Sequence, residues 1–161
     1  MIKTVLGSML FVLAVCAGTK ATAQDQKMID EKILTDYFAK NHIKATRTPS
    51  GLYYTINKPG AGPKAKAGQE VTMLYYGYTL DGKRFDGNMD KEYKPAGQPF
   101  VFPLGAHRVI AGWDEGVQLL NPGCRATLYL PSGLAYGPRG AGGAIGPNAV
   151  LAFDVELVSY R

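Results

Sequence analysis

The sequence predicts an α+β fold in which one antiparallel β-sheet curls around a single short α-helix, with a short helical extension before it. Three observations predict this class. Strand-like segments recur between residues 51 and 160, one helical pattern interrupts them at residues 109–120, and another helical pattern precedes them. With 161 residues, of which 46% are hydrophobic, the chain can bury the core of one compact domain.

Residues 1–23 have the pattern of a secretory signal. Lys3 precedes a short apolar run, and the small residues Ala21 and Ala23 follow it. The pattern predicts cleavage after Ala23 and a periplasmic or secreted protein, while a lipoprotein anchored at Cys16 is the alternative. Loss of this segment lowers the formal net charge from +5 to +3, because Lys3 and Lys20 leave with it. The remaining basic residues are scattered, which predicts no nucleic-acid partner.

Residues 24–48 are expected to form an N-terminal helix and a linker before a domain at 49–161. Apolar side chains recur at helical spacing here, and acidic residues lie early and basic ones late, as the helix dipole favours. The pattern predicts a helix over residues 26–40. A helix of that length needs a surface to pack on.

Five later segments have the composition of strands, rich in β-branched and aromatic residues. They are GLYYTINK, VTMLYYGYTL, FVFPL, RATLYLP and AVLAFDVELVSY. In the last segment Leu151, Phe153, Val155 and Leu157 alternate with Asp154 and Glu156. This alternation is typical of an antiparallel strand with one buried face.

The segment VIAGWDEGVQLL is the one helical pattern among these strands. Trp113, Val117 and Leu120 recur at i, i+4 and i+7, and Asn121-Pro122-Gly123 ends the pattern. A sheet that curls around such a helix buries the apolar faces of both. Helical spacing alone favours Trp113, the only tryptophan, as a core residue.

Other cues favour a binding site at Trp113. Gly112 and Gly116 flank the indole and suggest a ring face that is kept clear. The loop at residues 133–148 holds six glycines and is long for a compact domain, which is typical of functional loops. Together with nearby aromatic residues, these features predict a concave, aromatic-lined site.

Four motifs resemble those of FKBP-type peptidyl-prolyl cis-trans isomerases: YYGYTLDGKRFD, FPLG followed by VIAGWDEG, AYG, and AVLAFDVEL. The resemblance covers about residues 51–160. It implies a half-open antiparallel sheet around one short helix and an enzyme that accelerates rotation about Xaa-Pro bonds without a cofactor or metal. Implied partners are proline-containing segments of unfolded or exported proteins, and macrolide inhibitors.

The resemblance also implies the site residues, carried over position by position. Catalytic roles fall to Asp86, Tyr136 and Ile110, with the Ile110 amide and the Tyr136 hydroxyl donating hydrogen bonds to substrate carbonyls. Substrate-binding roles fall to the floor residue Trp113 and to the surrounding residues Tyr75, Phe85, Phe100, Val109, Ile145 and Phe153. Taken singly, these residues are better explained by structural roles, and together, in the family's order, they favour a binding cavity.

Three positions depart from the family pattern. Arg108 replaces a residue that is often acidic, and Ala141 and Ala144 are smaller than the residues usual in that loop. The preference for residues that flank proline and the affinity for macrolides therefore stay open.

Other classes of site are not supported by the motifs. The glycines of the long loop do not form G-x-G-x-x-G, the histidines are isolated, and Ser132 lies in LPSG. Cys124 would be the only cysteine left after cleavage, so no internal disulfide is expected, and its setting favours burial. Two alternatives stay open: a groove that clamps proline segments without catalysis, and pairing of two copies through the N-terminal helix, since the sequence leaves the oligomeric state undetermined.

Overall fold

The computed structural model describes residues 22–161. The alternative anchor Cys16 and nearly all of the predicted signal lie outside the described residues. The elements in chain order are α1 Ala23–Asn41, β1 Thr46–Arg47, β2 Tyr53–Lys58, β3 Glu70–Thr79, β4 Arg84–Gly87, β5 Phe100–Pro103, α2 Ala111–Gly116, β6 Arg125–Leu130 and β7 Leu151–Tyr160. Short 3-10 turns follow α2 and β6.

The strands form one antiparallel sheet in the order β1-β2-β6-β7-β3-β4, and β5 pairs with β3 beside this path. The long strands β3 and β7 lie at its centre, where nine residue pairs run from Val71↔Tyr160 to Thr79↔Leu151, with one register shift between Thr72 and Met73. The predicted fold class is confirmed, because this sheet encloses the short helix α2.

The main core lies between the sheet and α2. Trp113, Val117 and Leu120 are buried there with the alternate residues of β7 that the sequence places on one face, Leu151, Phe153, Val155 and Leu157. A Cβ atom on Gly112 would lie 2.5 Å from Leu130, and one on Gly116 would lie 2.6 Å from Leu128. The two glycines therefore let α2 approach β6. That they also keep the indole face clear stays a prediction.

Helix α1 packs on the opposite face of the sheet. Tyr53, Tyr129 and Ala152 are register partners on neighbouring strands, and Leu34 and Phe38 bury themselves against this row. The helix begins at Ala23, three residues before the predicted start, because Thr22 and Asp25 form a capping box. The expected linker contains β1, which pairs with β2. The domain boundary at residue 49 stays a prediction.

The short strand β4 and the environment of Cys124 complete the fold. The sequence pattern does not predict β4, a four-residue strand that pairs with β3 through three of its residues and carries Phe85 and Asp86. Cys124 is buried, as expected, and burial raises the pKa of its thiol. Within residues 22–161, no helix combines the length and apolar content that crossing a bilayer requires.

Candidate active site

A cavity of about 480 Å³ opens where β3, β4, β5, the start of α2 and the loop after β6 meet. Eight of the ten predicted site residues line it: Tyr75, Asp86, Phe100, Val109, Ile110, Trp113, Tyr136 and Phe153. His107 and Arg108 complete the lining. The fold thus brings together residues that are far apart in sequence, the most distant being Tyr75 and Phe153, which are 78 positions apart.

Trp113 lies at the base of this cavity and is only 4% exposed. Tyr75 and Phe153 each meet its ring edge to face, with ring centroids 5.1 and 5.5 Å away and interplanar angles of 87°. The indole Nε1 is buried and has no hydrogen-bond acceptor within the described part of the chain. Ring packing therefore sets the orientation of the indole.

Asp86 holds the Tyr75 hydroxyl at the cavity wall. The hydroxyl donates a hydrogen bond of 2.8 Å to Asp86 Oδ2, while Asp86 Oδ1 accepts the Gly87 amide at 2.8 Å. Pairing of β3 with β4 places the two residues side by side, with Gly77 opposite Asp86. Burial, and secondarily the Asp86 carboxylate, raise the pKa of Tyr75 well above its ordinary value. Tyr75 is therefore a neutral hydrogen-bond donor at physiological pH.

Tyr136 and Ile110 approach the cavity from two different segments. Tyr136 lies between the two 3-10 turns of the loop after β6, and its ring is 38% exposed. Burial and the negative charge of Asp86 raise the pKa of Tyr136, so its hydroxyl also stays protonated and able to donate. Ile110 is the N-cap residue of α2, where the backbone is extended before the helix begins.

Phe85 and Ile145 are the two predicted site residues that are not part of the cavity lining. Phe85 packs edge to face on Phe153 at a centroid distance of 5.5 Å, and it occupies the space that a side chain at Gly77 would fill. Ile145 is buried in the same core as Trp113, and a backbone bridge to Ala141 fixes it. Their roles in substrate binding stay predictions.

Asp114 was not identified from the sequence, although it shapes the cavity rim. Its buried carboxylate accepts hydrogen bonds from the amides of Gly105 and His107, both at 2.9 Å, and it lies 3.4 Å from His107 Nδ1. These bonds hold the segment that carries His107 and Arg108 beside the cavity. The sequence offered one signal for this role. An acidic residue directly follows the tryptophan, in the first turn of α2, and the loop before that helix contains Gly105.

Comparisons with known proteins agree with one another on the family to which this chain is similar. A family model described as FKBP-type peptidyl-prolyl cis-trans isomerase matches residues 62–158. The FKBP-type peptidyl-prolyl cis-trans isomerase FkpA of Aeromonas hydrophila is 44% identical over 145 residues, which are 89% of this chain and 51% of the relative. The outer membrane protein MIP of Legionella longbeachae is 41% identical over 113 residues, or 70% of this chain and 46% of the relative.

Solved structures agree with the sequence comparisons. The crystal structure of FkpA from Escherichia coli superimposes with a TM-score of 0.68 at 31% identity, and covers 86% of this chain and 62% of that one. The chain spans about half the length of these two curated relatives. The matched family segment contains every residue of the cavity lining. The chain therefore belongs to the FKBP-type peptidyl-prolyl cis-trans isomerase family.

Proposed function

We propose that the protein is a peptidyl-prolyl cis-trans isomerase that acts on Xaa-Pro bonds of exported proteins by stabilising the twisted amide in its aromatic cavity. The observation that carries this proposal is the buried indole of Trp113 at the base of a cavity walled by Tyr75, Phe100 and Phe153. Such a surface accepts the flat, apolar face of a proline ring.

The reaction needs neither a nucleophile nor a cofactor. Amide resonance imposes a rotation barrier of about 18–20 kcal/mol, and Xaa-Pro isomers exchange over tens to hundreds of seconds. An enzyme accelerates the exchange if it binds the twisted amide more tightly than either planar form. A twisted amide has lost its resonance and is less polar, so an apolar cavity favours it.

The lining supports a division of roles. In the proposed complex the proline ring lies on Trp113, between Tyr75 and Phe153 and with Phe85 behind them. The Ile110 amide and the Tyr136 hydroxyl donate hydrogen bonds to substrate carbonyls. Asp86 positions Tyr75 through the 2.8 Å hydrogen bond, and Val109, Ile145 and Phe100 complete the apolar surroundings.

The proposed setting of this activity is the periplasm or the exterior of the cell. The signal-like pattern of the first 23 residues supports it, as does the similarity to the outer membrane protein MIP of Legionella longbeachae. Mass spectrometry of the mature N-terminus tests the cleavage after Ala23. A lipid attached at Cys16 would contradict it.

An isomerisation assay on short Xaa-Pro peptides tests the central part of the proposal. We expect an increase of the cis-trans exchange rate in proportion to protein concentration, and its loss in Trp113→Ala. If the rate does not increase while aggregation of an unfolded client protein is suppressed, the alternative is favoured, in which the groove binds proline segments without catalysis. Addition of a macrolide to the same assay measures its inhibition constant. This value tests whether a cavity with Ala141 and Ala144 in its loop still binds macrolides.

A further inference from the structure

Asp30 of helix α1 is a carboxylate that is only 1% exposed, although no cation pairs with it in the described chain. Its Oδ2 accepts hydrogen bonds from the amide of Ser132 at 2.8 Å and from the Ser132 hydroxyl at 2.6 Å. Its Oδ1 accepts the side-chain amide of Gln26 at 2.7 Å. A buried charge is tolerated when such donors replace water.

Ser132 begins the 3-10 turn Ser132–Leu134, whose preceding residue is Pro131. The first amides of a helical turn have no partner within the turn, and a side chain of the N-cap residue usually accepts from them. Pro131 has no side-chain acceptor. Asp30 fills this role from a helix that is 102 positions away in sequence.

The turn leads directly to the cavity. The Pro131 carbonyl accepts the Leu134 amide at 2.9 Å and the Ser132 carbonyl accepts the Ala135 amide at 3.0 Å, so the backbone is hydrogen-bonded up to the residue before Tyr136. Tyr136 then lines the cavity. The position of its hydroxyl therefore depends on where Ser132 is held.

We propose that Asp30 is a positioning residue, which caps the Ser132 turn and thereby holds the Tyr136 hydroxyl at the substrate; this inference rests on the proposed isomerase function. Asp30 lies outside residues 62–158, the segment that the family model matches. The N-terminal helix is then part of the site's support, in addition to covering one face of the sheet.

A double-mutant cycle with Tyr136→Phe tests the proposal. We expect Asp30→Ala to lower kcat/KM about tenfold, since a misplacement of about 1 Å can cost about 10²-fold and the Tyr136 hydroxyl should be displaced by less than that. In the Tyr136→Phe background the same change should have less than about a twofold effect, because the hydroxyl that Asp30 positions is gone. Asp36→Ala is the matched control, because Asp36 lies on the same helix and its side chain is 65% exposed. It should leave kcat/KM unchanged in both backgrounds.

Equal losses in the two backgrounds would show that Asp30 does not act through the Tyr136 hydroxyl and would overturn the proposal. All rates are compared well below the melting temperature of the least stable variant. If Asp30→Ala does not fold, Ser132→Ala replaces it. This change removes only the hydroxyl donor, and we expect a smaller loss with the same dependence on Tyr136.

Fluorine NMR of protein labelled with 3-fluorotyrosine gives a readout that does not need activity. The resonance that disappears in Tyr136→Phe belongs to Tyr136. It should shift in Asp30→Ala and stay in place in Asp36→Ala, and an unshifted resonance in Asp30→Ala would contradict the proposal. A wild-type protein without isomerase activity would instead refute the proposed function, while the fluorine result would still decide whether Asp30 positions Tyr136.

Discussion

At the scale of single residues, the cavity joins core packing to hydrogen bonding. Trp113 is a core residue on one face and the cavity base on the other, and aromatic rings fix its orientation. Around it stand hydroxyl donors on Tyr75 and Tyr136, whose raised pKa values keep them protonated. In the proposed mechanism, this surface discriminates among amide geometries by shape and polarity, without covalent chemistry.

Replacement of Asp86 by valine should lower kcat/KM by about tenfold or more, because the Tyr75 hydroxyl loses the acceptor that positions it at the cavity wall, and a group misplaced by about 1 Å can cost up to about 10²-fold. Asp86 is exposed, so the melting temperature should change little. Peptide isomerisation kinetics and thermal melting measure the two effects. Tyr75→Phe should cause a similar loss, and the double variant should lose no more than either single one. Full turnover of Asp86→Val would remove Asp86 from the site.

Arg108 should favour substrates with an acidic residue next to proline. Its side chain is exposed at the cavity rim, where the interaction with a charge contributes about 0.2–1 kcal/mol. The ratio of kcat/KM for Glu-Pro over Lys-Pro peptides should therefore exceed one by up to about fivefold and decline in high salt. Arg108→Glu should reverse the ratio. A ratio unchanged by this substitution would show that Arg108 does not contact the substrate flank.

At the scale of elements, two helices hold the sheet from opposite faces. Helix α2 needs glycine at two positions to approach β6, and its N-cap residue Ile110 lies at the cavity. Helix α1 packs Leu34 and Phe38 on the other face and reaches the loop after β6 through Asp30. The cavity is thus bounded by segments whose positions depend on both helices.

Phe38→Ala should lower the free energy of unfolding by about 3–5 kcal/mol, the usual cost of removing a buried phenylalanine. The Phe38 ring packs on Tyr53 and Tyr129 at centroid distances of 5.1 and 4.9 Å. Urea denaturation measures the change. Met28→Ala is the control, since Met28 lies on the same helix with 58% exposure and should have little effect. Equal effects of the two substitutions would mean that α1 does not pack on the sheet in solution.

At the scale of the whole molecule, buried tyrosines link stability to pH. Burial is the main cause of the raised pKa of Tyr78. It also raises the pKa of Tyr129 from 10.0 to about 12. In the unfolded chain these hydroxyls ionise near their ordinary value of about 10. Above that pH the unfolded state binds fewer protons than the folded state, so stability falls as pH rises.

The free energy of unfolding should therefore decrease between pH 10 and pH 12, with about 1–2 kcal/mol of the decrease from Tyr129. Chemical denaturation across this range measures it. Tyr129→Phe keeps the ring and removes the titrating hydroxyl, so its curve should be flatter. Identical slopes for the two proteins would contradict the assignment to Tyr129.

The sequence predicted the features that repeat locally and missed those that depend on distant contacts. Alternation in β7 and the spacing around Trp113 express burial directly, so the strand face and the core helix were predicted correctly. Strand β4 is too short to show a pattern. The bonds from Asp114 to the rim and from Asp30 to Ser132 join segments that only the folded chain brings together.

The most direct test of the central claim follows the indole Nε1–H resonance of Trp113, the only tryptophan of the chain, during titration with a short Xaa-Pro peptide. The same samples give cis-trans exchange rates of the peptide by exchange spectroscopy. We predict that the indole resonance shifts with saturation and that exchange accelerates over the same concentration range. Accelerated exchange with an unmoved indole resonance at saturation would contradict a proline site on Trp113.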